Sequence, residues 1–163
     1  MKYLYLIIIL SLASCSNFAP IYGQDQEFET FLSAIEIEEV ETLENTELHH
    51  HISKLFGASH DTKYTLKLGL SDTVTPLIIT GQANVVKQNV TQLCNYSLID
   101  KSSGLVLLEG KIRLVGSYSS TSEPYASYTH EKYTKKSITQ TVAEELRMRL
   151  MLYFSNARNH TNS

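Results

Sequence analysis

The stretch from Thr62 to Ser71 constrains most tightly what this chain can fold into. Tyr64, Leu66, Leu68 and Leu70 alternate with Lys63, Thr65, Lys67, Gly69 and Ser71. This is the period of two in which successive side chains point to opposite faces of a strand. A strand that is apolar on one side needs a covering layer there and can meet water on the other. Val85–Asp100 reads as a second long strand, and Asp100-Lys101-Ser102-Ser103-Gly104 as the turn that returns it. Leu105–Tyr118 follows, with Val106, Leu108, Ile112 and Leu114 on one face and Glu109, Lys111 and Arg113 on the other. Phe31, Ser33, Ile35 and Ile37 stand at every second position and predict a further, earlier strand. Asp72–Pro76 reads as a break, and Ser117–Tyr128, rich in Ser, Thr and Tyr, as a mobile loop.

Two segments carry helical spacing instead. In Thr42–Phe56, Leu48, Ile52, Leu55 and Phe56 fall on one stripe. Thr42 or Asn45 suits the N-cap, Glu44 and Glu47 suit the positive helix start, and Gly57 suits the residue just past its end. From about Glu131 to Phe154, Ile138, Val142, Leu146, Leu150 and Tyr153 recur at steps of four and three. The expected order is therefore β-α-β-β-β-α. One-sided strands covered by one-sided helices make an α+β fold. It is a two-layer sandwich with two helices on one face of a four-stranded sheet, the opposite polar face left open. With 42% hydrophobic and 19% charged residues in 163, and no internal repeat, one domain over 31–156 is expected, followed by a polar tail over 157–163.

The beginning of the chain has a different character. After Met1-Lys2, the apolar run Tyr3–Leu12 is shorter than the ~20 residues of a membrane-spanning helix but suits the core of an export signal. It ends in Leu12-Ala13-Ser14-Cys15, the pattern of a bacterial lipobox. Residues 1–14 are accordingly expected to be a lipoprotein signal peptide and Cys15 the lipidation site. Residues 15–30, with Pro20 and Gly23, read as the lipidated N-terminus and an extended tether. Two or more acyl chains anchor stably, since each buried CH₂ contributes ~0.8 kcal/mol. Ser16, where an Asp would retain the protein at the inner membrane, favours the outer membrane, with the domain exposed to the periplasm. An acylated Cys15 leaves Cys94 without an intramolecular partner, as a small apolar residue of a strand.

The net charge of −3 implies no nucleic-acid partner, but it conceals an asymmetry. Nine acids and one base precede Lys54, whereas eight acids and thirteen bases follow from it onward. His49-His50-His51 does not make a metal site, because adjacent helical residues diverge by ~100° and cannot converge on one ion. No phosphate-cradling Gly loop, Gly-x-Ser-x-Gly or His-Glu-x-x-His is present, so neither an enzyme nor a metal or other cofactor is expected. The alternation does place Lys63 and Lys67, and likewise Lys111 and Arg113, on the uncovered side of the sheet. Cations spaced along a sheet suit a phosphorylated, anionic partner. The acid-rich segment Glu36–Glu47 is expected to lie away from that ligand, or against a basic partner surface.

Cys15-Ser16-Asn17-Phe18-Ala19-Pro20-Ile21-Tyr22-Gly23 resembles the mature start of the LptE family, the outer-membrane lipoproteins of lipopolysaccharide assembly. Many of these begin Cys-Gly-Phe-x-Pro-Leu-Tyr-Gly. Here Ser16-Asn17 stands in place of the Gly, and Ile21 in place of the Leu. The element order, the strand-turn-strand around Tyr96–Arg113 and the C-terminal amphipathic helix are similar too, so the resemblance spans nearly the whole mature chain. It implies a non-enzymatic protein that plugs and helps assemble an LptD-type β-barrel and binds lipopolysaccharide on its way to the outer leaflet. Phe18, Pro20, Tyr22 and Gly23 are the motif positions it carries over, beside Cys15 as the anchor. A small α+β lipoprotein also suits an auxiliary role for a lipid-trafficking ABC transporter, or the activation of a cell-wall synthase.

Overall fold

The computed structural model describes residues 22–38, 43–57, 61–77 and 86–161. Its elements are α1 (Tyr22–Ser33), β1 (Ile35–Ile37), α2 (Leu43–Phe56), β2 (Tyr64–Leu77), β3 (Val86–Asp100), β4 (Val106–Ser120) and α3 (Pro124–Thr161). The strands form one mixed sheet in the order β1-β2-β3-β4. β1 runs parallel to β2, a pairing that needs a crossover connection, which α2 supplies, while β2, β3 and β4 are antiparallel. The α+β class and the four-stranded sheet are those expected from the alternation.

The alternation also settles the faces. Leu66, Leu68 and Leu70 of β2, Val90, Cys94, Tyr96 and Leu98 of β3, and Ile112 of β4 are all buried. They pack against Leu48, Ile52 and Phe56 of α2 and Ile138, Val142, Leu146, Leu150 and Phe154 of α3, so the helices share one face of the sheet. Gly57 ends α2 at φ 77°, and Gly104 closes the β3–β4 turn at φ 71°, a left-handed region that glycine enters without a Cβ penalty. In that turn the Asp100 carboxylate accepts the backbone N–H groups of Ser102 (3.0 Å) and Ser103 (2.8 Å) and both their hydroxyls. The Ser102 hydroxyl first, and then the Ser103 groups, hold the Asp100 carboxyl down at about 2.

Several expectations are corrected. Residues 22–30 of the expected extended tether, together with Phe31 and Ser33 of the expected strand, lie in helix α1, and only Ile35–Ile37 pair as a strand. Phe31 stacks on Phe154 with ring centroids 5.1 Å apart, and Leu32 is 1% exposed, so the helical set Phe28, Phe31 and Leu32 wins over the period of two. A third helix therefore joins the helical layer. Asp72–Pro76 does not break the chain, because β2 runs through it, paired with Gln88–Gln92. Pro76 is tolerated there because the even-numbered residues of β2 turn their N–H toward the outer edge, where no ladder bond needs a donor.

The expected loop at Ser117–Tyr128 is mostly regular, with β4 reaching Ser120 and α3 starting at Pro124. Proline suits a first helical position, and the Ser127 hydroxyl accepts the Thr121 N–H at 2.9 Å to seal the turn. At the other end α3 extends into the expected polar tail, as far as Thr161. Asn45 is not an N-cap. It lies inside α2, 6% exposed, and its Oδ1 accepts the Leu70 N–H at 2.7 Å, tying α2 to the outer edge of β2. Thr42 lies outside the described residues.

Candidate functional site

The uncovered face of the sheet is built from cross-strand rows. Directly opposed residues of antiparallel strands project to the same side, so Lys67, Ser97 and Glu109 form one row. Gly69, Asn95 and Lys111 form the next, and Ser71, Leu93 and Arg113 a third. Successive rows stand ~7 Å apart. Because Gly69 has no side chain and no atom within 4 Å of where a Cβ would stand, the middle row is low. It forms the floor of a shallow basin of about 470 Å³ lined by Lys67, Asn95, Ser97, Glu109 and Lys111. Beyond Arg113 the face turns neutral, with Thr73, Thr91 and Val115, then Thr75, Asn89 and Ser117, in the following rows.

Of the four expected cations, Lys67, Lys111 and Arg113 share this face, in two environments, and Lys63 lies outside the paired register. Lys67 pairs with Glu38 at 2.9 Å, and both side chains are about half exposed. Lys63 sits at the rim just before β2, its N–H bonded to the Ala34 carbonyl and its own carbonyl to the Lys101 N–H. Lys111 and Arg113 are exposed, and no ion pair joins them, or Lys63, to an acid among the described residues. Glu36 projects on the same side, opposite Thr65, and pairs with Lys101. The expectation that the acids lie away from the cations is thus corrected for Glu36 and Glu38. The parallel pairing of β1 carries them onto the open face, leaving cations and acids interleaved at one end and free cations at the other.

The basin is anchored from beneath by Arg149 of α3. Its guanidinium donates to the Lys111 carbonyl (2.9 Å), the Glu145 carboxylate (2.8 Å) and the Tyr96 hydroxyl (3.4 Å). The bonds to Tyr96 and then to Glu145 raise the Arg149 pKa further, so its charge is permanent. Tyr96 fills the space above Gly110, its cross-strand partner.

A second polar group lies under α3 and was not visible in the sequence. Gln92, 1% exposed, exchanges hydrogen bonds with the Thr139 hydroxyl at 3.0 and 3.2 Å. Beside it Lys135 bridges Glu131 (2.9 Å) and Asp72 (3.6 Å), while the Tyr118 hydroxyl donates to Glu131 at 3.1 Å. Burial acts to lower the Lys135 pKa, but its bond to Glu131 and the two acids outweigh this and raise it. The bond from Lys135 lowers the Glu131 pKa against burial. These contacts cross a packed interface and fix α3 on the sheet, although the buried Asp72 Oδ1 has no hydrogen-bond partner among the described residues.

Cys15, Phe18 and Pro20 lie outside the described residues. Tyr22 and Gly23 open helix α1. Cys94 is fully buried, and burial raises its thiol to about 11, which suits packing and not nucleophilic attack. His49, His50 and His51 sit on α2, and burial lowers the His51 pKa.

No family model matches the chain. Among solved structures it is similar to a protein assigned as a lipoprotein from Caulobacter crescentus CB15, with a TM-score of 0.63 and 17% identity over 80% of this chain and 97% of that one. It is also similar to the rare lipoprotein B from Shewanella oneidensis, with a TM-score of 0.60 and 12% identity over 76% of this chain and 96% of that one. At such identities the likeness is one of fold. A relative in sequence is nearer: with 34% identity over 154 residues, spanning 94% of this chain and 98% of the relative, the chain belongs to the family of the uncharacterized protein RP188 of Rickettsia prowazekii (strain Madrid E).

Proposed function

We propose that the chain is a non-enzymatic outer-membrane lipoprotein, anchored through acyl chains on Cys15 and exposed to the periplasm. In this reading it assembles with and plugs an LptD-type β-barrel and helps deliver lipopolysaccharide to the outer leaflet. The observation that carries the reading is the open sheet face, where Lys111 and Arg113 stand free of ion pairs among the described residues, beside a polar basin. Lipid phosphates are multivalent anions, and charge-assisted bonds from cations two residues apart can meet more than one of them. The lipobox at Leu12–Cys15, the Phe18, Pro20, Tyr22 and Gly23 motif, and the lipoprotein names of the two fold neighbours support it.

In this mechanism the acyl chains hold the domain at the membrane, and the helical layer with its buried network keeps the sheet rigid. The face then exchanges water and counter-ions for phosphates without a change of fold. The Glu38 carboxylate competes with phosphate for Lys67, which leaves Lys111 and Arg113 as the principal contacts and Lys63 and Lys67 as secondary ones. Pull-down from detergent-solubilised outer membrane tests the assignment. A heat-modifiable β-barrel partner is expected, whereas an inner-membrane ATPase or a peptidoglycan synthase would replace this reading with the transporter or synthase role.

A further inference from the structure

The two edges of the sheet are treated differently. The outer edge of β2 is guarded by β1, which pairs Ile35–Ile37 with Tyr64–Leu66, by Asn45 on the Leu70 N–H, and by Pro76, which has no N–H to offer. β4 is the opposite edge, 15 residues long and without proline. Arg149 donates to the Lys111 carbonyl, which therefore points outward, so the odd-numbered residues of β4 turn their backbone groups away from the sheet. Ser119 is closed by His130, whose Nδ1 donates to its carbonyl at 3.2 Å. Between these two clamps, the N–H and C=O groups of Arg113, Val115 and Ser117 have no partner among the described residues. Proteins usually block such an edge; here α3 closes it at the Lys111 and Ser119 carbonyls and leaves the stretch between them open.

What flanks the window defines its occupant. A groove of about 490 Å³ runs between β4 and α3, lined by Leu114, Val115, Gly116, Tyr133, Ser137 and Ile138. Gly116 lets α3 come close, since a Cβ there would meet Ile138 Cδ1 at 2.7 Å. The groove lies on the helical side of the edge, while the cations Lys111 and Arg113, without an ion pair among the described residues, project on the open side. An added strand would place alternate side chains on those two sides, one set facing cations and the other a partly apolar groove. We propose that the β4 edge between Lys111 and Ser119 takes up, by strand addition, an extended segment of a partner protein in which acidic and apolar residues alternate. This goes beyond the lipopolysaccharide reading and depends on backbone groups that reading does not use.

The test uses the full-length chain in detergent and a fluorescein-labelled heptapeptide, Glu-Val-Glu-Val-Glu-Val-Glu, read by anisotropy. Saturable binding is expected, weakened by about tenfold or more when one alternating set of peptide amides is N-methylated and by less than about twofold when the other set is, because a strand offers only alternate N–H groups to its neighbour. A peptide with Lys in place of Glu is expected to bind about tenfold more weakly, by charge repulsion. Val115→Pro removes an outward N–H without breaking the β3–β4 ladder. It should lower peptide affinity by about tenfold while leaving circular dichroism and lipopolysaccharide binding unchanged. The methylated peptides carry the test if that variant fails to fold. No saturable binding, equal effects of the two methylation patterns, or self-association of the chain that Val115→Pro abolishes would each overturn the proposal, the last by making a second copy the occupant.

Discussion

Gly110→Ala tests the way Tyr96 joins the sheet to α3. A Cβ on Gly110 would lie 2.5 Å from the Tyr96 Oη, 2.7 Å from Cζ and 3.1 Å from Cε1. Non-bonded heavy atoms are comfortable at ~3.5–4.0 Å, so the ring must move by ~1 Å. It has little room, being 6% exposed, with its hydroxyl bonded to Arg149 and the guanidinium 6.0 Å from the ring centroid. Overpacking of this kind costs ~1–3 kcal/mol. A value near 2 is expected here, because displacing the ring also disturbs the Arg149 bond to the Lys111 carbonyl. For a chain of this size that corresponds to a fall in Tm of about 4–8 °C, measured by calorimetry or circular dichroism. The double variant Gly110→Ala with Tyr96→Leu removes the obstructing ring, so the two losses should fall short of additive by ~1 kcal/mol or more. An unchanged Tm for Gly110→Ala, or strictly additive losses in the double variant, would refute the steric argument.

The other expectations concern the core, the turn, the buried thiol and the open face. Leu146, fully buried in α3, should cost ~2–5 kcal/mol when changed to Ala, the lost transfer energy plus a cavity, seen as a lower urea midpoint. Asp100, held at about 2 against an ordinary 3.8, contributes stability that is complete above the ordinary value and is lost as the pH falls through the folded one. Asp100→Asn should therefore flatten the acid limb of a urea-midpoint titration between those two values. Cys94, raised to about 11 by burial, should resist iodoacetamide at neutral pH until the chain unfolds, and rapid labelling of the native protein would contradict the packing. Lys111→Glu with Arg113→Glu should weaken lipopolysaccharide binding at low salt and move the melt little, since exposed charges contribute little to stability. Equal binding by the wild type and this variant would return these cations to the role of a solvated face.

The faces of the long strands were legible because side-chain alternation belongs to the backbone itself, independent of what packs on it. Lys67, Lys111 and Arg113 therefore fell on one side before any pairing was known. The stripe Ile138–Leu150 and the glycine after α2 were readable for the same local reason. Short or mixed segments were not. Phe31, Ser33, Ile35 and Ile37 fit a strand, while Phe28, Phe31 and Leu32 fit a helix, and only the Phe154 ring waiting in the helical layer decides between them. Pro76 breaks a strand in general, but not at an edge whose outward N–H was never needed. No local pattern could bring Glu38 to Lys67 across 29 residues, bury Gln92 against Thr139 across 47, or aim Arg149 and His130 at the two ends of an open edge. Those placements follow from sheet register and from the line α3 takes across the sheet, and it is they that separate the paired cations from the free ones and the closed edge from the open one.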